Sequence, residues 1–516
     1  VSANRQYEVE RKYDVAPDGG EVPDLSGLPE VAEVAPAEEL DQVATYFDTD
    51  GLSLLAARVT LRRRVGGVDD GWHLKLPAGE GRREEVHVPI ADPDDADETV
   101  PAELLTRVRA IVRDRPMLVS AELRTHRVAH RLLDADGQVL AELCDDRVEA
   151  RSARTGAGVE RWREWELELV DGPPELLEDA EPLLLAAGAH PSASASKLGR
   201  VLAEALPPTP SWRSAGPVGA DASTGEVLVG YLAEHLHRLH EEDRRLRTGD
   251  QEGVHQLRIA ARRLRSALAS YAPVLDRGEA LALREELRWL GGVLSAARDA
   301  QVSRERLLGL VGEQADELVL GPVARRIDDE LRAAFTAARA AAEEQLDGSR
   351  YFRLLDRLER FLDEPPTRPD ARQPADRMLA TLLRRDLRRV KRRHRAYLAA
   401  DSPARREVAL HDVRKAAKRL RYSAESAGPI VGGQAAQLSS RAKALQQLLG
   451  EHQDTVVARR VLRDLGVRAH LAGENGFTFG RLHALEEARA AELAGRYPGV
   501  YDDLPPTSGL RSWLSG

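Results

Sequence analysis

Only one cysteine, Cys144, occurs in 516 residues. An intrachain disulfide is therefore excluded, and the thiol is expected to pack inside a protein kept in a reducing compartment. No stretch approaches the roughly 18 consecutive apolar residues of a membrane span, and the first residues are polar, without the apolar core of a signal segment. The expected location is the cytoplasm, with no membrane partner. Aromatic residues make up 4% of the chain, which leaves few faces on which bases can stack and argues against a single-strand nucleic-acid binder. Positive charge is not in excess either. The 75 Lys and Arg against 85 Asp and Glu give a formal charge of −10, whereas a protein that coats nucleic acid would be basic overall. Any attraction for a polyanion must come from local rows of cations.

Two such rows are present. The segment from Val254 to Arg265 returns 156 positions later as Leu410 to Arg421. On a helix turning about 100° per residue, His255, Arg258, Arg262 and Arg265 form one stripe, and His411, Arg414, Lys418 and Arg421 repeat it. Leu257, Ala260, Ala261, Leu264 and Leu268 fall on the opposite face of the first copy, as do Val413, Ala416, Ala417, Leu420 and Ala424 in the second. A solvated helix face mixes charge signs, but neither stripe contains an acid, so a phosphate-rich polyanion lying against both is the physical expectation. A metal site would need further ligands at fixed spacing. Asp412 adjoins His411, but Gln256 takes the matching place beside His255, so the two copies preserve cations and not an acid. A third basic run, Arg384 to Arg395, is expected either to extend this surface or to form a plain solvated helix.

The length implies two or three domains. Residues 1–205 read as strands: Tyr7 to Tyr13, Val59 to Val65, Trp72 to Leu76, Glu84 to Ile90, Glu122 to Leu133, Val139 to Asp146 and Trp162 to Val170. Seven or more strands with helices only at 175–187 and 196–205 predict a closed antiparallel barrel. A proline-rich linker spans 206–220, with Pro207, Pro208, Pro210 and Pro217. From 221 to 511 the pattern is helical, and Pro365-Pro366 divides it into repeats of about 221–365 and 375–511. Arg298-Asp299 and Gln453-Asp454 correspond at an offset of 155, within one residue of the first offset.

In the strand region, Glu8, Glu10 and Lys12 alternate and so point the same way. Two carboxylates about 6–7 Å apart, from the roughly 3.3 Å rise, can help to hold a hard divalent ion; a solvated strand face explains this triplet alone equally well. Other strands add charge on single faces: Arg62 with Arg64, Arg127 with Arg131, Glu142 with Asp146, and Glu164 with Glu166 and Glu168. Arg63 lies on the opposite phase and is expected in solvent. If the apolar phase faces covering helices, the charged phase lines the interior. That interior is tenable only when charges pair, or when metal ions and phosphates neutralise them.

The ordered set Glu8-x-Glu10-x-Lys12, Tyr46-Phe47-Asp48-Thr49, Leu61-Arg62-Arg63-Arg64, Trp72-x-Leu74-Lys75-Leu76-Pro77, Arg83-x-Glu85, Glu164-x-Glu166-x-Glu168 and Ser196-Lys197 resembles the CYTH superfamily of triphosphate tunnel metalloenzymes. The resemblance implies an eight-stranded antiparallel β tunnel with flanking helices that hydrolyses or cyclises triphosphates with Mg²⁺ or Mn²⁺. Chemistry and resemblance together make Glu8, Glu10, Glu166 and Glu168 the metal ligands, with Asp146 and Glu164 as further candidates. Arg62, Arg64, Lys75, Arg127 and Lys197 would clamp the substrate, and Lys12, with Glu10 beside it, would position or deprotonate a metal-held water. The helical half, through His255-x-x-Arg258-x-x-x-Arg262-Arg263-x-Arg265 and its copy, resembles the CHAD domain. That implies a pseudo-two-fold all-α bundle binding long-chain inorganic polyphosphate, and hence a place at polyphosphate granules. The expected activity is a metal-dependent inorganic triphosphatase acting on tripolyphosphate. Adenylate cyclase or thiamine triphosphatase activity in the same tunnel, and a non-catalytic polyphosphate-binding protein, are the rival expectations.

Overall fold

A computed structural model describes residues 4–67, 69–79, 82–90, 99–156, 158–209, 212, 213, 216, 218–250, 252–508 and 510. Pro210 and Pro217 of the expected linker lie outside the described residues; Pro207 and Pro208 are in irregular backbone. The chain divides into two compact units, Val1–Thr209 and Pro210–Gly516. Among the described residues, no helix is long and apolar enough to cross a membrane.

The first unit contains strands β1 (Asn4–Glu8), β2 (Glu10–Val15), β3 (Glu33–Val34), β4 (Glu38–Asp48), β5 (Thr60–Val65), β6 (Gly71–Pro77), β7 (Arg83–Pro89), β8 (Leu118–Leu133), β9 (Val139–Ser152), β10 (Glu160–Leu169) and β11 (His190–Pro191). Its helices are α1 (Ser53–Ala56), α2 (Ala102–Val112), α3 (Glu175–Ala186) and α4 (Lys197–Val201). β1 and β2 are one strand interrupted at Val9. β1 pairs with β7 and β2 with β10, both antiparallel, and this joins the two ends of the series β7-β6-β5-β4-β8-β9-β10. With the two-residue strands β3 and β11 as additions, the ring has eight strands, the expected number.

The period-two alternation decides what faces where. Outward-facing Leu61, Leu74 and Val86 pack under α2 through Leu104, Val108 and Val112. Leu143, Trp165 and Leu167 pack under α3 through Leu176, Leu177, Ala180 and Leu184. The inward phase is not charged throughout, as the sequence had suggested. Ala44, Tyr46, Leu123, Val148, Ala150 and Trp162 share it, and they form an apolar cluster with Leu198, Val201 and Leu202 in and just after α4. α4 therefore fills one stretch of the interior, and its first residue is Lys197. Cys144 is buried and free, in keeping with its expected packing role. Arg63 is half-buried on the face of β5 opposite Arg62 and Arg64, so it is less solvated than expected.

Asp48, at the end of β4, is only 1% exposed. Its Oδ1 accepts from the backbone N–H of Thr49 at 2.6 Å and of Leu54 at 2.9 Å, and its Oδ2 accepts from that of Leu55 at 2.9 Å. The carboxylate thus satisfies amides at the start of α1 that have no partner within the helix.

The second unit is helical: α5 (Thr224–Arg247), α6 (Gly253–Ser270), α7 (Arg277–Val293), α8 (Ser295–Gly312), α9 (Val323–Leu346), α10 (Ser349–Asp363), α11 (Ala375–Leu398), α12 (Pro403–Val431), α13 (Gly433–Leu471) and α14 (Phe477–Asp502). Shifted by 156 positions, α6 falls within α12, α7 and α8 together on α13, and α9 on α14. The duplication is thus visible in the fold, with the break at Leu294 healed into one long helix in the second copy. α10 has no counterpart among the described residues. The apolar faces of both motif helices are buried as expected, Leu257, Ala261 and Leu268 in α6 and Val413, Ala417 and Ala424 in α12 each being 0% exposed.

Replacing Asp48 by Ala should lower the chemical-unfolding stability of the first unit by about 2–3 kcal/mol, because three amides lose a charged acceptor. Asp48→Asn, which keeps one acceptor oxygen, should lose less. Equal, negligible losses in both variants would show that the cap contributes nothing.

Candidate functional site

The alternation of β1/β2, β5, β6, β8 and β10 brings Glu8, Glu10, Lys12, Arg62, Arg64, Lys75, Arg127, Glu166 and Glu168 to a single cavity of ≈ 250 Å³, and Lys197 enters it from α4. The expected clamp residues and the four expected principal ligands therefore line one cavity, while Asp146 and Glu164, the further candidates, are not among its lining residues. The cross-strand register explains how charge is tolerated there. Lys75 lies opposite Glu85, Arg127 opposite Asp146 and Lys12 opposite Glu166, whereas Glu10 opposite Glu168 is a pair of like charges.

The side chains complete these pairings. Lys75 Nζ is 2.5 Å from Glu8 Oε1. Arg127 donates to Asp146 at 2.7 and 2.6 Å and to Glu166 at 2.8 Å. Lys12 binds Glu166 and lies 3.2 Å from Glu10. Lys197 Nζ stands 2.8 Å from each of Asp146, Glu164 and Glu166. Ser196 places it by accepting from the Gly199 N–H at 3.0 Å and so starting α4. Burial alone would push Glu166 up, but Lys12, Lys197 and Arg127 outweigh it and hold the carboxylate well below its usual range. The same contest leaves Glu10 lowered, with Lys12 as its main counter-charge.

Glu168 behaves in the opposite way. Burial, then the neighbouring Glu8 and Glu10, push it up to about 8. Glu8 Oε2 is buried without a hydrogen-bond partner. A carboxyl pushed up beside a carboxylate with an unused oxygen suits a hard oxygen-seeking divalent ion. The second acidic group, Asp146, Glu164 and Glu166, presents oxygens within 4.8 Å of one another, with Lys197 as its counter-ion. Among the described residues, the acidic group close enough to share one ion is Asp146, Glu164 and Glu166, whereas Glu8, Glu10 and Glu168 hold the carboxyl pushed up and the unused oxygen. Glu166, expected as a ligand, is engaged by three cations.

Lys12 was expected to position or deprotonate a water, and its surroundings favour the first. Burial lowers its pKa, but Glu166 and Glu10 more than reverse this, so the ammonium is held above its ordinary value. A lysine fixed in its protonated form positions groups and does not remove a proton from water. Two contributors were given no role in the sequence reading, although Tyr46 stands in one of the quoted motifs. Tyr46 Oη accepts from Arg62 Nη1 at 3.3 Å, and Asp69, in the turn after β5, binds Arg64. Tyr46 shares the phase of Gln42 and Ala44, the signal that would have found it.

In the second unit, α6 and α12 pack against each other and the two stripes converge. Lys418 shows this most directly. Burial, then Arg262, Arg414, Arg258 and Arg265, force its pKa down to about 6, so three cations of the first copy bear on one of the second. Arg258 and Arg414 are each pushed down by burial and in part by the other copy's arginine, against Asp299 and Asp454. His255 falls to about 4 through burial and Arg298. Arg262 Nε donates to Tyr422 Oη at 3.1 Å. Arg421 differs from its expected role: its Nε lies 2.7 Å from Glu425 Oε1, so its charge is answered within the protein. Arg265, its counterpart, has Ala269 four residues on and makes no ion pair among the described residues.

Residues 6–197 match the CYTH domain and residues 230–463 the CHAD domain. The uncharacterized protein Rv2226 of Mycobacterium tuberculosis (strain ATCC 25618 / H37Rv) is 39% identical over 513 residues, covering 95% of this chain and 94% of that one. The chain belongs to the CYTH–CHAD family. Among solved structures, the CHAD domain from the plant Ricinus communis is 27% identical with a TM-score of 0.46, covering 56% of this chain and 96% of that one. The Hippeastrum putative adenylyl cyclase HpAC1, described with a dominant triphosphatase activity, is 20% identical with a TM-score of 0.26, covering 39% of this chain and 98% of that one. CYTH enzymes include triphosphatases and adenylate cyclases and depend on metal, and the CYTH domain here carries a buried acidic cluster able to receive a divalent ion.

The lysine at the second acidic group of the CYTH domain provides a test. Lys197→Met leaves Asp146, Glu164 and Glu166 with one counter-ion fewer, and the domain should lose about 3–5 kcal/mol in chemical unfolding. Millimolar Mn²⁺ should restore part of that stability to Lys197→Met but not to a Lys197→Met/Asp146→Ala protein. Equal recovery in both would exclude cation capture by this group.

Proposed function

We propose that the CYTH domain hydrolyses inorganic triphosphate with a divalent ion and that the CHAD domain binds long inorganic polyphosphate. The observation that carries the first half is the cavity wall. Six cations and four carboxylates named above share a space of ≈ 250 Å³, below the roughly 300–1,000 Å³ of pockets that enclose drug-sized organic ligands. Tyr46 is the one aromatic residue on that wall. A bare triphosphate suits it better than a nucleotide or a thiamine ester, which favours triphosphatase over cyclase. Carboxylates with no counter-ion requirement for anion binding also speak against a tunnel that merely senses phosphate.

Arg62, Arg64, Lys75, Arg127 and Lys197 would bind the phosphoryl oxygens and stabilise the charge that builds as a P–O–P bond opens. Glu8, Glu10 and Glu168, with Glu166 at the edge, would hold the divalent ion, for which Mg²⁺ and Mn²⁺ are the proposed species. When bound, such an ion supplies charge neutralisation and makes water more acidic. Lys12, kept protonated by Glu166 and Glu10, would orient Glu10 and the substrate. Water adds to the terminal phosphorus, the bridging oxygen leaves with its electron pair, and pyrophosphate, orthophosphate and a proton result.

Phosphate release from tripolyphosphate, ATP, thiamine triphosphate and long polyphosphate, each with Mg²⁺ and with Mn²⁺, tests this reading. Tripolyphosphate should be preferred, and Glu10→Gln should lower its kcat/KM by about a hundredfold or more while folding normally. Wild-type-like turnover by a folded Glu10→Gln protein would falsify the assignment.

For the CHAD domain, the converging stripes carry the proposal: His255, Arg258, Arg262, Arg265, His411, Arg414 and Lys418 form the binding surface, with Arg421 at its paired margin. Lys418 sets the pH behaviour. Its folded value of about 6 lies below the unfolded 10.5, so between those values the free folded protein holds fewer protons than the unfolded chain, and fold stability rises with pH across that window. A bound polyanion favours the ammonium form. Binding in that window should therefore take up as much as one proton, and affinity should fall as pH rises, at most about tenfold per pH unit. Calorimetry in buffers of different ionisation enthalpy reads the uptake directly. Lys418→Met should abolish it, and an unchanged uptake would assign the proton elsewhere.

A further inference from the structure

The third basic run resolves into a built groove. α7, α11 and α12 enclose two adjoining concavities of ≈ 420 Å³ each, which share Arg284, Arg389 and Arg419. The first also presents Arg288, Arg393 and Lys415; the second adds further arginines of α11. Two acids reach the lining, and both are already engaged. Asp386 is 1% exposed, with Arg419 Nε at 2.8 Å and Ser270 Oγ at 2.6 Å. Asp412 has Arg393 at 3.4 Å and Lys415 at 3.5 Å. Arg284, Arg388, Arg389 and Arg392 make no ion pair among the described residues.

The protein itself holds some of these cations in place. Arg385 Nη2 donates to the carbonyls of Ala269 at 3.0 Å and Ser270 at 2.5 Å, and Arg419 Nη2 donates to Ala269. Those carbonyls belong to the last turn of α6, where carbonyls lack helical partners and the helix dipole is negative. Arginines are thus gathered against mutual repulsion. Arg389 is pushed down by burial and then by Arg419, with Arg393 and Arg392 adding to it. A solvated helix face would not gather like charges in a concavity; a phosphate-lined ligand would answer them. No aromatic residue lines either concavity, so nothing there would stack a base.

Arg265 connects this groove to the stripes. It belongs to the α6 stripe, lines the first concavity, and is pushed down by burial and by Arg288, Arg262 and Arg284, residues of both places. We propose that the groove is a second anion-binding site and that one polyphosphate chain runs from the stripe cluster across Arg265 into it. The groove then distinguishes long chains from short ones. This rests on the proposed polyphosphate binding by the CHAD domain.

The test uses the full chain and three proteins: wild type, the groove variant Arg284→Ala/Arg389→Ala, and the stripe variant Arg258→Ala/Arg262→Ala. Each is titrated with short-chain and long-chain sodium polyphosphate over a range of salt. The tunnel is unchanged in all three, so its contribution cancels in the comparison. The groove variant should lose at least about tenfold in long-chain affinity, with a shallower salt dependence, because phosphate contacts release counterions. Its short-chain affinity should match wild type, and the stripe variant should weaken both. Wild-type-like long-chain binding by the groove variant, with the stripe variant impaired, would overturn the groove while leaving polyphosphate binding intact. Equal weakening of short and long chains by the groove variant would overturn the two-site path. Inositol hexakisphosphate separates the other source of clustered phosphates: groove-dependent binding of that probe without any groove effect on long chains would overturn the proposal. Absence of binding by wild type at low salt would overturn the polyphosphate reading itself.

Discussion

A charge taken out of water must be answered, and this constraint organises both units. In the CYTH domain the answer is nearly complete. Closing eight strands into a ring gives every strand an inside, and period-two alternation sends one phase of side chains there. Because the outer phase is already apolar and covered by α2 and α3, the inner phase has to carry the polar residues. Lysine and arginine stand opposite glutamate and aspartate in the cross-strand register, so the cost of desolvation is offset pair by pair. Lys197, with three carboxylates at 2.8 Å, is the most heavily paired cation, and the short helix that delivers it also fills the interior with Leu198 and Val201.

The exceptions to that pairing are where chemistry concentrates. Glu168 is pushed up to about 8, beside a Glu8 oxygen with no hydrogen-bond partner. In the CHAD domain the exceptions are cationic. Lys418 is pushed down to about 6, and Arg258, Arg265 and Arg414 make no ion pair among the described residues. One unit is short of positive charge at a single point, the other short of negative charge along a surface. These opposite deficits suit a cation and an anion respectively.

Much of this was legible in the sequence because alternation and helical period are written in neighbouring residues. The Glu8-x-Glu10-x-Lys12 triplet, the charged phase of β8 to β10 and the duplicated stripe needed no distant contact to be seen. β4 was missed as a strand because Glu38-Glu39-Leu40-Asp41-Gln42 is too acidic for a half-buried strand until the ring supplies Arg131 and Arg127 beside it. α2 was missed although Leu104, Val108 and Val112 recur at four-residue spacing after Pro101. The plug formed by α4 was not legible, since Leu198 and Val201 are equally apolar whether they cover the barrel or enter it. Arg421 was grouped with the free cations, although Glu425 stands at the i+4 position that would neutralise it.

The duplication explains why modest motifs produce a strong field. A single stripe on one helix would face water, where each cation keeps its ordinary protonation and salt screens it. Packing α6 against α12 sets the second copy of the stripe beside the first and removes part of the water between them. Burial, and after it repulsion at short range, pushes Lys418, Arg258 and Arg414 down. The apolar faces built from Leu257, Ala261 and Leu268, and from Val413, Ala417 and Ala424, are fully buried and anchor each motif helix in its bundle against that repulsion.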